Sequence, residues 1–212
     1  MNTNWKKVKL GDVCDLQQGL AINKKSKHLI VNRSDLPLLR ITDLINNKVE
    51  QYIDSKRVGP QFIADDSSLI YTRTGQVGLV FKNRKGVVHN NCFKIKPFAD
   101  IDINYLYYLL KQESIYFLVN KVASRAAQPD LTHSSFKAIE VFVITNLQEQ
   151  KKIASLISSY DDLIEINQKR IKILEEMAQL LYTEWFVKFK FPGHEKVKLI
   201  DSGTEYGKIP DG

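Results

Sequence analysis

From Leu147 to Phe191 the chain contains neither glycine nor proline. Through that stretch run Ile157, Tyr160, Ile164, Asn167, Ile171, Leu174, Ala178, Leu181 and Trp185, at alternating intervals of three and four. An α-helix turns once every ~3.6 residues, so these side chains share one face and form a heptad seam. The spacing predicts a helix over about 147–186, roughly 60 Å long at ~1.5 Å per residue. Leu163, Met177 and Leu180 widen the stripe. Such a helix cannot bury its stripe on itself and needs a partner helix, from the same or another chain. Asn167 in the seam disfavours wrong registers at some cost in stability. The plainer alternative is a helix lying on its own domain, but so long an intact seam is unusual for one.

Asn146 followed by Glu149 has the form of an N-cap with its capping partner and places the helix start. The last residues, FPGHEKVKLIDSGTEYGKIPDG, are rich in glycine and proline and read as a linker. Three regions follow: a globular domain over 1–146, the helix over 147–188, and a tail over 189–212.

The first region reads as a mixed α/β domain built on a twisted sheet, which makes the chain α+β. LPLLRITDLI (36–45), SSLIYTRT (67–74), VGLVFKN (77–83) and NCFKIKPF (91–98) are short apolar or alternating runs with strand character. VGLVFKN follows LIYTRTGQ as the second arm of a hairpin would. INYLYYLLKQESIYFLVNKVA (103–123) has helical spacing through Leu106, Leu109, Leu110, Tyr116 and Phe117. FKAIEVFVI (136–144) supplies a final strand.

Charge separates the regions. Residues 1–146 hold 21 Lys and Arg against 13 Asp and Glu, a net +8, whereas 147–212 hold 10 against 11. A basic excess confined to the globular part fits a polyanionic partner. No window nears the ~18 apolar residues of a membrane span, and MNTNWKKVKLGDV lacks the apolar core of a signal peptide. Two distant cysteines, Cys14 and Cys92, favour a reducing cytoplasm.

Catalytic motifs are scarce. Gly75-x-x-Gly78 in LIYTRTGQVG (69–78) lacks the spacing and the Lys of a phosphate-binding loop. His28, His89, His133 and His194 are scattered, without metal-ligand spacing. Asp130 after Pro129, with Glu149 and Lys151, spells the outline of a metal-dependent nuclease. That chemistry wants the Glu and Lys on a strand, yet here Glu149 opens a helix.

Three polar segments instead carry donors suited to nucleic acid. NKKSKH (23–28) offers Lys24, Lys25 and Lys27 to phosphates. In LIYTRTGQVG, Arg73 has the fork that reads guanine or else bonds phosphate, Thr72 and Thr74 beside it suit bases or phosphates, and the glycines allow close approach. SRAAQPDLTHSS (124–135) offers Arg125 and Gln128 to guanine and adenine edges. Arg40, Gln76, Asn90 and Ser124 complete the set of candidate contacts.

Taken in order, WKKVKLGDVCDLQQG, LPLLRITDL, LIYTRTGQVG, SRAAQPDLT and the helix LQEQKKIASLISSYDDLIEINQKRIKILEEMAQLLYTEWFVKFKFPG resemble the specificity subunit of type I restriction–modification systems. The resemblance spans nearly the whole chain. It implies a non-catalytic, cytoplasmic prokaryotic protein that directs partner subunits to double-stranded DNA. By the same resemblance, methyltransferase (M) subunits carry S-adenosylmethionine and methylate adenine. Restriction (R) subunits use ATP with Mg²⁺ to translocate and cleave, and this chain holds no cofactor or metal. A typical specificity subunit has two recognition domains, separated by two long helices packed antiparallel. This chain has one such unit, which makes it either a half-subunit, for which homodimerisation through the seam is expected, or the N-terminal half of a longer gene product. The readings from other classes are the nuclease and a coiled-coil adaptor with a basic nucleic-acid- or protein-binding domain.

Overall fold

The computed structural model describes residues 5–124, 129–204 and 207–211. The chain divides into two compact units, residues 1–157 and 158–212. The first unit opens with strands β1 (Trp5–Lys9), β2 (Cys14–Gln18), β3 (Ile30–Val31) and β4 (Leu36–Leu39), then helix α1 (Ile41–Asn46) and β5 (Tyr52–Ile53). There follow β6 (Ile63–Ala64), β7 (Leu69–Thr72), β8 (Val80–Phe81), β9 (Gly86–Val88) and β10 (Cys92–Pro97). Helices α2 (Ile103–Lys111), α3 (Glu113–Ala123) and α4 (His133–Lys137) precede β11 (Glu140–Ile144). The long helix α5 (Leu147–Tyr182) begins in the first unit and runs into the second.

The architecture is α+β, with several small sheets rather than one. A four-stranded antiparallel sheet has the order β2-β10-β7-β8, and a mixed five-stranded sheet the order β3-β5-β4-β9-β6. A separate pair joins β1 to β11 along its full length, Trp5 opposite Ile144.

Successive residues of a strand face opposite sides, and β7 and β10 use both sides. Leu69, Tyr71, Phe93 and Ile95 enter the main core, whereas Ile70 and Cys92 enter a second cluster with Leu39, Leu44, Ala64 and Val88. This is why LIYT is apolar without alternation: it is a wall between two cores. In the main core the Tyr71 ring meets the edge of Phe136 at 5.1 Å, and Phe93 meets Phe136 at 6.3 Å.

Three local expectations change, the first being that in FKAIEVFVI residues Phe136 and Lys137 end α4 and only Glu140–Ile144 is strand. The single helix over 103–123 is broken at Gln112, whose φ of −60° and ψ of 136° are extended. Leu106, Leu109 and Leu110 are buried as expected, but Tyr116 and Phe117 stand exposed. After the break Ile115, Val119 and Ala123 form the inner face instead. The run LPLLRITDLI is a strand only through Leu39. Asp43 then accepts the Arg40 backbone N–H at 3.1 Å and turns the chain into α1.

The hairpin is as the sequence reads, and Asn146 caps the long helix. Ile70 pairs with Phe81 and Tyr71 with Val80. Asn146 Oδ1 accepts the backbone N–H groups of Gln148 at 2.8 Å and Glu149 at 3.1 Å. The first compact unit extends past residue 146 because Gln150 and Ala154, in the opening turns of α5, are buried.

In the second unit α5 passes into a π-helical turn over Thr183–Val187, where the Lys188 N–H reaches the Thr183 carbonyl at 2.9 Å. Beyond it β12 (Leu199–Asp201) and β13 (Lys208–Pro210) pair as an antiparallel hairpin, which the linker reading of 189–212 did not anticipate.

Candidate nucleic-acid interface

The turn of the β7–β8 hairpin is closed by Thr72. Its hydroxyl accepts the Leu79 N–H at 2.9 Å, and its carbonyl accepts the Gly78 N–H at 3.1 Å. Thr72 is fully buried. The expectation that its side chain touches nucleic acid is therefore corrected: the hydroxyl is the internal lock of the turn. The glycines are conformational. Gly75 has φ of 80° and Gly78 of 99°, where a side chain is strained. A Cβ on Gly78 would also stand 2.9 Å from the Tyr116 ring. Asn120 Nδ2 of α3 donates to the Val77 carbonyl at 3.1 Å and holds the turn from behind.

Arg73 is engaged inside the protein. Its Nη2 donates to both carboxylate oxygens of Asp130 at 2.7 Å, and its Nη1 donates to Gln18 Oε1 at 3.0 Å. The guanidinium carbon lies 5.3 Å from the centre of the Phe93 ring. The Thr74 hydroxyl donates to Asp130 Oδ1 at 2.7 Å. Backbone bonds run in parallel: Arg73 N–H to the Asn91 carbonyl at 2.9 Å, Leu131 N–H to the Arg73 carbonyl at 2.9 Å, and Gly75 N–H to the Pro129 carbonyl at 3.3 Å. Gln18 Nε2 donates to the Asn90 carbonyl at 2.6 Å. The arginine singled out as a free base reader is thus the centre of a junction between four separated segments.

The electrostatics follow. Partial burial pushes the Asp130 carboxyl up, but the Thr74 hydrogen bond and the Arg73 ion pair outweigh it and hold it below its ordinary range. Burial lowers the His133 imidazole, and the Arg73 and Lys137 cations lower it further against the opposing Asp15. The His133 ring packs on Phe93 at 4.6 Å, behind the junction.

The other candidates divide. Lys24, Lys25 and Lys27 are exposed. Their loop is ordered by Asn23, whose Oδ1 accepts the Lys25 N–H at 2.8 Å, and by Ser26, whose hydroxyl donates to the Ala21 carbonyl at 2.6 Å. Gln76 is exposed in the hairpin turn. Asn90 is half-buried, its N–H bonded to the Leu20 carbonyl at 3.0 Å. Ser124 is exposed beyond α3, its hydroxyl 3.4 Å from the Lys121 carbonyl. Arg40 is committed elsewhere: it grips Asp43 through two 2.8 Å bonds and Glu50 through one of 2.6 Å, so its charge is neutralised within the fold. Arg125 and Gln128 lie outside the described residues. Gln18, Phe93 and the partnership of Asp130 with Arg73 were missed from the sequence. The side chains they join lie 55 and 57 residues apart, with no local pattern to announce them.

The nuclease outline finds no such assembly. Asp130 is occupied by Arg73 and Thr74, while Glu149 and Lys151 lie in the opening turns of α5. Among the described residues no group of three or more His, Cys, Asp or Glu is gathered to hold a metal. Cys14 and Cys92 are free and buried, and burial pushes each thiol up to about 12. Among the described residues no helix is long and apolar enough to cross a membrane.

The seam of α5 presents a second surface. Tyr160, Ile164, Ile171, Leu174 and Leu181 are 48–63% exposed, Ile157 38%. Asn167 and Ala178 are exposed and Trp185 partly so. Leu156, Leu163 and Met177 flank the seam, and Ile166, Ile173 and Leu180 extend it at intervals of seven. Four of seven heptad positions are therefore largely apolar, a stripe of roughly 160° where a two-stranded seam needs only two positions.

Comparison with known proteins gives a consistent picture. The family model for the type I restriction modification DNA specificity domain matches residues 2–176. The MjaIX specificity subunit of a type I restriction enzyme from Methanocaldococcus jannaschii is 28% identical over 98% of this chain and 51% of its own length. The HindI specificity subunit from Haemophilus influenzae is 30% identical over 55% of this chain and 26% of its own length. Among solved structures, the S subunit of a type I system from M. genitalium superimposes with a TM-score of 0.66 at 19% identity, over 87% of this chain and 46% of that one. The HsdS subunit from Thermoanaerobacter tengcongensis gives 0.59 at 16% identity, over 88% and 46%. The chain spans about half the length of the first two curated relatives it matches.

Proposed function

Since the chain belongs to the type I restriction modification DNA specificity domain family, we propose that it is the DNA-recognition component of such a complex, carrying one recognition domain. The observation that carries this reading is the junction around Arg73. In a region of net +8 it ties the hairpin turn, the Asn90–Asn91 turn, the end of β2 and the Pro129–Asp130 segment together. Recognition loops on a rigid scaffold are the usual way a protein reads bases. Gln76, Asn90 and Ser124 are the proposed contacts to base edges or sugar–phosphate, and Lys24, Lys25 and Lys27 the contacts to phosphate.

In this reading the chain has no catalytic residue. Methyltransferase subunits with S-adenosylmethionine modify adenine, and restriction subunits with ATP and Mg²⁺ translocate and cleave. The seam of α5 pairs antiparallel with that of a second copy. An isologous pair presents one recognition domain twice, so the site is bipartite and palindromic. The surplus width of the apolar stripe leaves room for a methyltransferase subunit beside the partner helix.

The test is methylation mapping in prokaryotic cells carrying this chain with its methyltransferase subunit. The expected result is adenine methylation in a split palindrome that disappears without this chain. Methylation independent of the chain, or cleavage by the purified chain with Mg²⁺ alone, overturns the reading, the latter in favour of the nuclease.

A further inference from the structure

We infer that the Arg73–Asp130 ion pair is a positioning device that sets sequence discrimination without either residue reading a base, an inference that rests on the DNA-recognition reading above. The geometry has three parts. Arg73 is only 20% exposed, and it donates to Asp130 and to Gln18 while its guanidinium lies against Phe93. Little of its fork is left to meet guanine, which takes two parallel donors. The pair also lies where two loops meet. Thr74 shares Asp130 Oδ1 from the hairpin side, Gly75 N–H bonds the Pro129 carbonyl, and Asp130 N–H reaches back to the Ala123 carbonyl at 3.4 Å. The ion pair therefore fixes the exposed Gln76 relative to the end of α3. Finally, Gln18 transmits the same restraint to the Asn90 carbonyl. A carboxylate beside a DNA-facing surface repels phosphate. Its presence is explained if it holds an arginine in place.

Two substitutions separate positioning from reading. Asp130→Asn removes the charge but keeps the shape, leaving Arg73 present and less restrained. If Arg73 leaves its carboxylate to read a base, the variant keeps or improves specific binding; an arginine that reads a base while held by Asp130 is told apart by the exchange variant below. Positioning requires discrimination between the cognate site and a one-base mismatch to fall by ~10-fold, about the value of one base-pair preference. Binding to random duplex at low salt should hold or rise, because no phosphate contact is removed and one negative charge is lost. The exchange variant Arg73→Asp with Asp130→Arg restores the ion pair with its ends reversed, and should recover discrimination lost in Arg73→Ala. A base-reading arginine could not be rescued in this way.

The measurements use the chain assembled with its methyltransferase subunits, on the site found by methylation mapping, with thermal melting of each variant alongside. A merely structural role would scale specific and random binding down together with the folded fraction. Undiminished discrimination in Asp130→Asn overturns the inference. A wild-type complex that shows no sequence preference overturns the recognition reading itself, and the two failures are distinct.

Discussion

The side-chain amide of Gln150 donates to the carbonyl of Ile144 at 2.7 Å, joining the long helix to the last strand of the globular unit. The same side chain accepts the Asp102 N–H at 2.8 Å and donates to the Asp100 carbonyl at 3.2 Å. Gln150 lies seven residues before Ile157, on the line of the heptad seam, but it is fully buried. The start of the seam is thus part of the domain, fastened by a polar plug. Gln150→Ala leaves three backbone groups without their partner and should destabilise the first unit by ~2–4 kcal/mol. Chemical denaturation followed by near-ultraviolet circular dichroism measures this; a loss under ~0.5 kcal/mol would mean that the junction tolerates solvent.

Leu174 is 63% exposed, in the middle of the seam. Leu174→Asp should abolish self-association while leaving the melting of residues 1–157 within ~0.5 kcal/mol of wild type. Light scattering at micromolar concentration, with and without methyltransferase subunits, reads the first effect and calorimetry the second. A wild-type chain that is monomeric under both conditions would remove the homodimer from the proposed function.

The two glycines of the hairpin turn should respond differently to alanine. At Gly75 the added Cβ meets open space, so Gly75→Ala carries only the positive-φ cost of ~1–2 kcal/mol. At Gly78 the Cβ also meets the Tyr116 ring at 2.9 Å, adding ~1–3 kcal/mol of overpacking. Thermal melts of the two variants should rank Gly78→Ala clearly lower. Equal melting temperatures would show that α3 yields to the turn.

Two histidines should make the fold sensitive to acid. Burial comes first among the causes that lower His133, followed by the Arg73 and Lys137 cations, with Asp15 opposing. His89 is lowered first by burial and then by Arg40, with Asp43 opposing. Both histidines start from an ordinary value of 6.5. Unfolding lets them take up protons that the folded state refuses. Their contribution to stability is therefore complete above pH 6.5 and is lost as pH falls toward their lower folded values. His133→Gln should flatten part of that slope. A variant with the wild-type pH profile over this window would place the acid sensitivity elsewhere.

The long helix was legible because it obeys a periodicity and lacks breakers, and its start because a cap is local chemistry between Asn146 and residues two and three positions on. The β7–β8 hairpin was legible for the same reason. The break at Gln112 was not: neither glycine nor proline marks it, and only the packing of Ile115, Val119 and Ala123 against the core requires the change of face. Thr72 and Arg73 were read as loop donors from residue type, which records what a side chain can bond but not what it meets. Tertiary structure decided that Thr72 closes a turn and that Arg73 faces Asp130, 57 residues away. By itself the sequence determined the helix, its cap, the hairpin and the sign of the charge, all set by neighbours along the chain. The partners of buried polar groups were decided by the fold, because a hydrogen bond between distant segments exists only once both have been brought to one place.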